Sequence, residues 1–330
     1  MSDRGANGIV SNYDIVVAEG VLTDVEIENE HLAGRPARAR LASLRTPEEI
    51  ERETREADAV VVTIEKLPRE FIQVIGPRVR IIARAGIGLD SIDMEAARER
   101  GIAVFHTPDY ATEEVATHTI ALMLALNRKL LSGDHLARHE WRSWERLKPV
   151  PAFSELTVGI VGLGRIGSAV AQLVRALTSN IIGFDPYLSE PPPNVRLAPT
   201  LEELLAETDV LTLHMPATGA TRGLIGARML DLLRPHAIVI NVARGALVDQ
   251  VALAEMLRSG RIAGAGFDVF AREPLPEDDP IATAPNVVLS PHFAWYSDAS
   301  NRRMRTMAMD GILDYLDGRP VRVGRLAVRP

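Results

Sequence analysis

The sequence contains no cysteine, which excludes disulfide bonds, thiolate metal ligands and cysteine nucleophiles. It has no uncharged apolar stretch of about 18 residues, the length that suggests a membrane helix, and its N-terminal segment MSDRGANGIVSNYD lacks the apolar run of a signal peptide. Basic residues are not in excess, since 37 Lys and Arg against 44 Asp and Glu give a net charge of −7, which disfavours nucleic-acid binding. The absence of cysteine fits a reducing compartment. We therefore predict a cytoplasmic protein with no membrane or nucleic-acid partner.

Short apolar runs recur along the chain, separated by helical patterns or by turns rich in glycine and proline. The first series of predicted strands covers residues 15–18, 59–64, 80–83 and 102–105, and the second covers 157–161, 180–184, 210–213, 237–241, 264–269 and 287–290. A long helical pattern at 112–131 lies between the two series, and another at 298–317 follows them. Because 330 residues suffice for two domains, we predict an α/β fold with two doubly wound domains.

The segment VGIVGLGRIGSAV carries the pattern G-x-G-x-x-G at Gly162, Gly164 and Gly167. It follows a predicted strand and opens a predicted helix, the context in which this pattern binds a dinucleotide. The first glycine permits a tight turn, the second lets a pyrophosphate approach the backbone, and the third lets the helix pack on the strand. Alone, the pattern is weak support for a nucleotide site, because glycines mark many tight turns.

The strand that follows this helix, IIGFD, ends in Asp185. An acidic side chain at this position accepts hydrogen bonds from the adenosine ribose hydroxyls and would repel a 2′-phosphate, so it favours NAD over NADP. The alternative is that Asp185 is an ordinary turn residue before Pro186.

Three ionisable residues follow later strands of the same series: Arg244 in NVARGALVD, Glu273 in FDVFAREPLP and His292 in VVLSPHFAWYSD. Open α/β sheets bind ligands at the carboxyl ends of their strands. Each residue alone also fits an ordinary turn, loop or core position. Together they supply a cation for a substrate carboxylate, an acid/base and a carboxylate that orients the acid/base. This set of groups indicates an active site that requires no metal.

Five motifs, in order, resemble the D-isomer-specific 2-hydroxyacid dehydrogenases: RAGIGLDSID, GLGRIG, NVARGALVD, FDVFAREPLP and SPHFAWYSD. The resemblance extends over nearly the whole chain. The segments DPYLS and AWYSD are most similar to the branch that contains the carboxy-terminal binding proteins, which are NAD-binding transcriptional corepressors, and their bacterial relatives.

The resemblance implies a Rossmann-type NAD-binding domain inserted into a flavodoxin-like substrate-binding domain. The NAD-binding domain would cover residues 111–297, and the substrate-binding domain would cover 1–110 and be completed by 298–330. The resemblance also implies a homodimer whose contact lies on the helix after Thr112. We expect that contact because the apolar segment 112–131 is hard to bury within one nucleotide domain.

The activity implied by the resemblance is the NAD(H)-dependent interconversion of a 2-oxo acid and a D-2-hydroxy acid by hydride transfer. His292 would be the general acid/base, Glu273 its orienting carboxylate, and Arg244 the group that binds the substrate carboxylate and carbonyl oxygen. The other positions that match the family are Gly86, Ile87 and Gly88, whose backbone would bind the substrate carboxylate; Trp295, which would line the substrate side-chain pocket; Arg165 and Ile166 at the pyrophosphate; Met215 and Val242 along the nucleotide; and Asp268 at the nicotinamide amide.

Two alternatives stay open at this stage. In the first, Trp295 packs only a hinge between the domains. In the second, the chain is an NAD(H)-sensing, corepressor-like binding protein with slow or vestigial dehydrogenase activity. A sensor needs the glycine loop and Asp185 but has no evident need of an arginine, a glutamate and a histidine together, which favours the enzyme.

Overall fold

The computed structural model describes residues 13–328. Most of the N-terminal segment MSDRGANGIVSNYD, which is predicted not to be a signal peptide, lies outside these described residues. The strands are β1 (Tyr13–Ala18), β2 (Ala37–Ala42), β3 (Ala59–Val62), β4 (Ile81–Arg84), β5 (Ala103–His106), β6 (Val158–Val161), β7 (Ile181–Phe184), β8 (Arg196–Leu197), β9 (Val210–Leu213), β10 (Ile238–Asn241), β11 (Gly264–Phe267), β12 (Val287–Leu289) and β13 (Arg325–Val328). The α-helices are α1 (Glu26–Leu32), α2 (Pro47–Thr54), α3 (Arg69–Val74), α4 (Met94–Glu99), α5 (Thr112–Asn127), α6 (Leu130–His139), α7 (Arg165–Val174), α8 (Leu201–Glu207), α9 (Ala227–Leu230), α10 (Gln250–Arg258) and α11 (Asp298–Leu316). None of these helices, over residues 13–328, is both long and apolar enough to cross a bilayer.

The chain divides into two compact units, and the first contains the residues up to Ala111 and those from Ser297 onward. Its sheet has the order β2-β1-β3-β4-β5-β13, in which only β13 runs antiparallel to its neighbour. Without β13 this is the flavodoxin-like order of a doubly wound sheet. Strand β3, AVVV, is buried along its whole length, as expected where helices cover both faces of a parallel sheet.

The second unit is Thr112–Tyr296, and its sheet has the order β12-β11-β10-β9-β6-β7-β8. All its strand pairs are parallel. The order reverses between β6 and β9, which is the arrangement of a Rossmann sheet, and ligands bind such sheets at this point. The predicted α/β fold with two doubly wound domains is therefore confirmed.

The segment predicted as one helix over 112–131 forms two helices. Helix α5 ends at Asn127 and α6 begins at Leu130, because Lys129 between them has a left-handed backbone with a φ of 51°. Helix α5 packs against α7 and strands β10, β11 and β12, and it buries Leu122 and Met123. Most of the apolar part of 112–127 is thus covered within this unit, whereas Leu130 and Leu131 of the same predicted segment are exposed. Helix α6 and the 3-10 helix after it carry four of the exposed large apolar side chains: Leu130, Leu131, Trp141 and Trp144.

Strand β2, ARARLA, is absent from the predicted strands because most of its apolar side chains are small and alternate with arginine. Arg38 and Arg40 form ion pairs with Asp14 of β1, with Nε to carboxylate oxygen distances of 3.2 and 3.0 Å. Arg40 also pairs with Glu53 of α2, at 2.8 Å, so the charges of this edge strand are balanced by other segments and an apolar pattern could not indicate it.

Candidate active site

The loop between β6 and α7 has the shape of an anion cradle. Gly162 has a φ of 88°, a backbone conformation that glycine adopts easily, and a Cβ on Gly167 would lie 2.0 Å from the Gly162 oxygen. A Cβ on Gly164, by contrast, would meet no atom within 4 Å. Helix α7 then begins without a side-chain cap, so its first amides, those of Arg165 and Ile166 among them, remain suited to an anion. The loop fits the pyrophosphate of a dinucleotide.

Asp185 lies at the carboxyl end of β7, beside this loop. Its Oδ2 accepts a hydrogen bond from the Leu163 amide at 2.9 Å, and its Oδ1 accepts one from the Tyr187 amide at 3.0 Å. A carboxylate has about four lone-pair sites, so two protein hydrogen bonds leave acceptor capacity for ribose hydroxyls. The carboxylate therefore supports the glycine loop and also fits a ribose.

Met215 and Val242 follow the neighbouring strands β9 and β10, and Val242 is buried. His214, just before Met215, has its Nε2 2.9 Å from Thr212 Oγ1. Burial lowers the pKa of His214 to about 3, so this imidazole is neutral at pH 7 and cannot supply a proton there.

Arg244 lies in a loop that a buried asparagine holds. Asn241, at the end of β10, donates from Nδ2 to the Arg244 oxygen at 2.9 Å and accepts from the Ala243 amide at 3.1 Å. A Cβ on Gly245 would lie 1.9 Å from the Phe270 carbonyl carbon. The loop that carries Arg244 therefore lies directly against the backbone that leads to Glu273.

Glu273 and His292 form a hydrogen-bonded pair, with 2.8 Å between Glu273 Oε2 and His292 Nδ1. Oε1 of Glu273 accepts the Phe270 amide at 2.9 Å, which fixes the carboxylate. Burial raises the pKa of Glu273, but the hydrogen bonds from His292 and Phe270 and the charges of His292 and Arg244 outweigh it and hold this pKa below its ordinary value. Glu273 thus contacts Nδ1 of the His292 ring and not Nε2.

Asp268, after β11, holds the turn that contains His292. Its side chain is 1% exposed. Oδ1 accepts from the Ser290 hydroxyl at 2.5 Å and the Phe293 amide at 2.8 Å, Oδ2 accepts from the Ala294 amide at 2.9 Å, and the backbone oxygen accepts from the His292 amide at 2.8 Å. Both carboxylate oxygens of Asp268 therefore accept hydrogen bonds from the protein. The expected hydrogen bond between Asp268 and a nicotinamide amide stays a prediction.

The glycine-rich turn after β4 belongs to the first unit. The Gly86 amide donates to Thr107 Oγ1 at 2.7 Å, so this amide has an acceptor within the protein, and its contact with a substrate carboxylate stays a prediction. Within residues 13–328, the amides of Ile87 and Gly88 donate no hydrogen bond. They are the donors of this turn that a carboxylate could engage.

Trp295 lies just after the turn that contains His292, among other aromatic side chains. Its ring is 5.4 Å from that of Tyr296, edge to face, and the rings of Tyr296 and Phe293 stack at 5.2 Å. Trp295 is partly buried, whereas Phe293 is 50% exposed. This aromatic group offers an apolar surface beside His292.

The second unit thus combines a dinucleotide cradle, an acidic residue beside it and an arginine near a carboxylate–imidazole pair. The profile of the D-isomer specific 2-hydroxyacid dehydrogenase NAD-binding domain matches residues 120–294, more than half of the chain. The chain belongs to the D-isomer-specific 2-hydroxyacid dehydrogenases. The matched residues lie within the second unit, which therefore corresponds to the NAD-binding domain of this family.

Relatives of this dehydrogenase family match over most of the chain. It is 38% identical over 278 residues to a D-3-phosphoglycerate dehydrogenase of Methanocaldococcus jannaschii, covering 83% of this chain but 52% of that protein. It is 39% identical over 276 residues to a glyoxylate reductase of Aeropyrum pernix, covering 80% and 82% of the two chains. The chain thus spans about half the length of the phosphoglycerate dehydrogenase.

Solved structures of similar proteins agree with the fold. The TT0316 protein of Thermus thermophilus has a TM-score of 0.83 and 34% identity, covering 94% of this chain and 99% of its own. A D-lactate dehydrogenase of Aquifex aeolicus, complexed with NAD and lactic acid, has a TM-score of 0.82 and 28% identity, covering 92% and 96%. The similar proteins named above by their activity are dehydrogenases or a reductase. They give the corepressor-like alternative no support.

Four polar residues near this dehydrogenase site are absent from the sequence predictions. They are Asn241, Gln250, Ser290 and His118. A polar residue at the end of a buried strand, as in NVARG, is a signal for Asn241. Gln250, which accepts the Ala271 amide at 2.8 Å, and His118, which contacts Ser290, lie far along the chain from their partners, so no local pattern indicates them.

Proposed function

We propose that the chain catalyses the NAD(H)-dependent reduction of a 2-oxo acid to the D-2-hydroxy acid, and the reverse oxidation. The observation that carries this proposal is the 2.8 Å contact between Glu273 Oε2 and His292 Nδ1, in a unit that also contains Arg244 and the dinucleotide cradle. Bound NADH supplies the hydride that adds to C2 of the oxo acid.

His292 donates the proton that the C2 oxygen needs. With Nδ1 held by Glu273, Nε2 delivers the proton, and the carboxylate stabilises the imidazolium before transfer. Hydride at carbon and proton at oxygen together give the 2-hydroxy acid, and His292 ends the step neutral. In the oxidation direction the neutral imidazole accepts the proton from the hydroxyl.

Arg244 is the proposed partner of the substrate carboxylate. A guanidinium binds a carboxylate with charge-assisted hydrogen bonds and also stabilises negative charge on the carbonyl oxygen. The resemblance also proposes the backbone of Gly86, Ile87 and Gly88, in the first unit, as donors to a substrate carboxylate. Trp295 is the proposed wall of the side-chain pocket, which favours an apolar or thioether 2-oxo acid over a small hydrophilic one.

Asp185 supports a preference for NAD(H) over NADP(H), because a fixed carboxylate beside the ribose repels a 2′-phosphate. The remaining coenzyme contacts proposed are those of Arg165 and Ile166 to the pyrophosphate, of Met215 and Val242 to the nucleotide, and of Asp268 to the nicotinamide amide. A homodimer is also proposed, with its contact on the exposed apolar side chains of α6 and the 3-10 helix after it.

An NADH-oxidation screen over glyoxylate, hydroxypyruvate, pyruvate, phenylpyruvate and 4-methylthio-2-oxobutyrate tests the proposal, with chiral analysis of the product. We expect reduction of at least one of them to the D-isomer, and His292→Gln should reduce kcat by about 10²–10⁴-fold while NADH binding changes little. His139→Gln, at an exposed histidine on α6, is the matched control. If wild-type protein binds NADH but reduces no 2-oxo acid, the proposal fails and a coenzyme sensor becomes the better description.

A further inference from the structure

Ser290 connects helix α5 to the turn that carries His292. Its Oγ is 2.5 Å from Asp268 Oδ1 and 2.9 Å from Nε2 of His118. A hydroxyl has one proton to donate, and a carboxylate that already accepts the amides of Phe293 and Ala294 can only accept it. Ser290 therefore donates to Asp268 and accepts from His118, which requires the hydrogen of the His118 ring on Nε2.

The packing of α5 brings His118 to this position. Strand β11 has the sequence GAGF, and a Cβ on Gly266 would lie 3.1 Å from the Cβ of Leu122 on α5. The absence of a side chain at Gly266 lets the helix lie close to the strand. His118 is one helical turn before Leu122, on the same face of the helix. This places its ring at the carboxyl ends of β11 and β12, where Asp268 and Ser290 lie.

The turn at 290–294 needs such support. His292 has a φ of 54°, the left-handed conformation that is uncommon for residues with a Cβ and that persists where surrounding contacts impose it. Asp268 supplies several of these contacts, through its backbone oxygen and both carboxylate oxygens, and the His292 amide is also 3.0 Å from the Ser290 oxygen. The Asp268 carboxylate therefore helps to fix the backbone from which the His292 ring projects, while Glu273 holds the ring itself.

We propose that His118 is a positioning residue for the reaction: through Ser290 it orients the Asp268 carboxylate, which in turn fixes the backbone of His292. This proposal rests on the proposed function for its kinetic consequence, although not for its structural one. His118 itself transfers no proton to substrate; it reaches the turn of His292 through Ser290 and Asp268, and its Nε2 is also 3.9 Å from Asp268 Oδ1.

Kinetics on four variants test the proposal. His118→Leu removes the donor but keeps an apolar side chain of similar size, whereas His118→Gln keeps an N–H donor close to the position of Nε2. We expect His118→Leu to lower kcat about tenfold with KM for the 2-oxo acid nearly unchanged, and His118→Gln to restore most of the rate. Ser290→Ala should lower kcat similarly, and the double variant should be no slower than Ser290→Ala, because linked residues are not additive. Equal loss in the Gln and Leu variants, or multiplied losses in the double variant, would overturn the proposal.

A nitrogen-15 NMR experiment on histidine-labelled full-length protein gives an answer that does not depend on turnover. We expect His118 to carry its proton on Nε2, and His118→Leu and Ser290→Ala to shift the His292 ring signals. Thr117→Leu, an exposed neighbour on the same helix, should leave those signals in place. Unmoved His292 signals in both test variants would refute the positioning role. A protein that shows the shifts but reduces no 2-oxo acid would refute only the proposed function.

Discussion

The pKa of Glu273 is shifted by burial, by hydrogen bonds and by nearby charges. Burial alone would raise its pKa, yet the hydrogen bonds from His292 and the Phe270 amide, with the nearby positive charges, lower this pKa overall. The side chain is 38% exposed, so solvent screens part of these interactions. At neutral pH the group is a carboxylate and can hold an imidazolium on His292.

We expect Glu273→Gln to lower kcat for 2-oxo acid reduction by about 100-fold, within the range that positioned acid–base groups contribute. A neutral amide can keep one hydrogen bond to Nδ1 but cannot balance the charge of the imidazolium. Steady-state kinetics at saturating NADH measure the change, and Glu277→Gln, an exposed glutamate four residues later, is the control. A rate within a few-fold of wild type would show that the carboxylate does not act on His292.

The lowered pKa of Glu273 also predicts how its contribution to stability depends on pH. A carboxylate whose pKa is lower in the folded state stabilises the fold above the unfolded-state pKa, and this contribution is lost as pH falls through the folded-state value. The ordinary value for glutamate is 4.5. Thermal unfolding of wild type and Glu273→Gln should therefore differ above about pH 5 and converge as the pH is lowered below 4.5. A difference that stays constant across this range would contradict the prediction.

Asp185 has two roles that substitutions can separate. Asp185→Asn removes the negative charge but keeps an oxygen for the Leu163 amide, whereas Asp185→Ala leaves that amide without its acceptor. We expect the ratio of kcat/KM for NADPH over NADH to rise in both variants. Only Asp185→Ala should also lose stability, by about 1–3 kcal/mol, the usual cost of an unsatisfied buried group. Coenzyme kinetics and denaturant unfolding check the two effects, and a wild-type preference for NADPH would contradict the role of Asp185.

At the scale of structural elements, the site depends on how closely the loop after β10 approaches the loop after β11. Gly245 permits this approach, because even one methyl group there would overlap the Phe270 carbonyl. The side chains of Asn241 and Gln250 then fix the two loops by hydrogen bonds to backbone atoms. The spacing of Arg244 and Glu273 is therefore a property of the packed loops.

Gly245→Ala should separate these loops, with a loss of about 1–3 kcal/mol from overpacking and a larger relative loss of kcat than of NADH affinity. The obstacle is backbone and cannot rotate away, unlike a flexible side chain. Gly219→Ala is a suitable control, since a Cβ there would meet no atom within 4 Å. Calorimetry and steady-state kinetics on both variants decide the matter, and an unchanged Gly245→Ala enzyme would show that the loops tolerate separation.

At the scale of the whole molecule, four exposed large apolar side chains lie within a short stretch of the chain, on α6 and the 3-10 helix after it. Trp141 is 78% exposed and Trp144 is 55% exposed, and Leu130 and Leu131 are similarly open. Contiguous exposed apolar side chains mark interaction surfaces in soluble proteins. The surface formed by these four residues is thus the proposed dimer contact, in place of the buried face of α5.

Replacement of Trp141 and Trp144 together by lysine should convert a dimer into monomers of 36.0 kDa, because two buried charges in an apolar interface are unfavourable. Sedimentation velocity at micromolar concentration measures this. Val251→Lys, at a 54% exposed apolar position on α10, should leave the mass unchanged. A wild-type protein that sediments as a monomer would refute the dimer itself.

The sequence by itself determines much of this protein, because several of its signals are local. Buried parallel strands are continuous apolar runs, and each strand of the two predicted series is present in the structure. The glycine pattern and Asp185 are likewise local, since a turn, a helix start and the next strand end lie within 24 residues of one another along the chain (Gly162 to Asp185). The family resemblance was readable for the same reason, because its motifs are short segments at strand ends.

The tertiary structure alone decides which distant groups meet. Strand β2 exists because Asp14 pairs with its arginines, α5 is buried because glycines of β11 let it approach the sheet, and the Gly86 amide is engaged by Thr107. The contact of His118 with Ser290 joins residues 172 positions apart. Each of these outcomes depends on an interaction between segments far apart in sequence, whose energy no local pattern contains, so it follows only once both sheets have assembled.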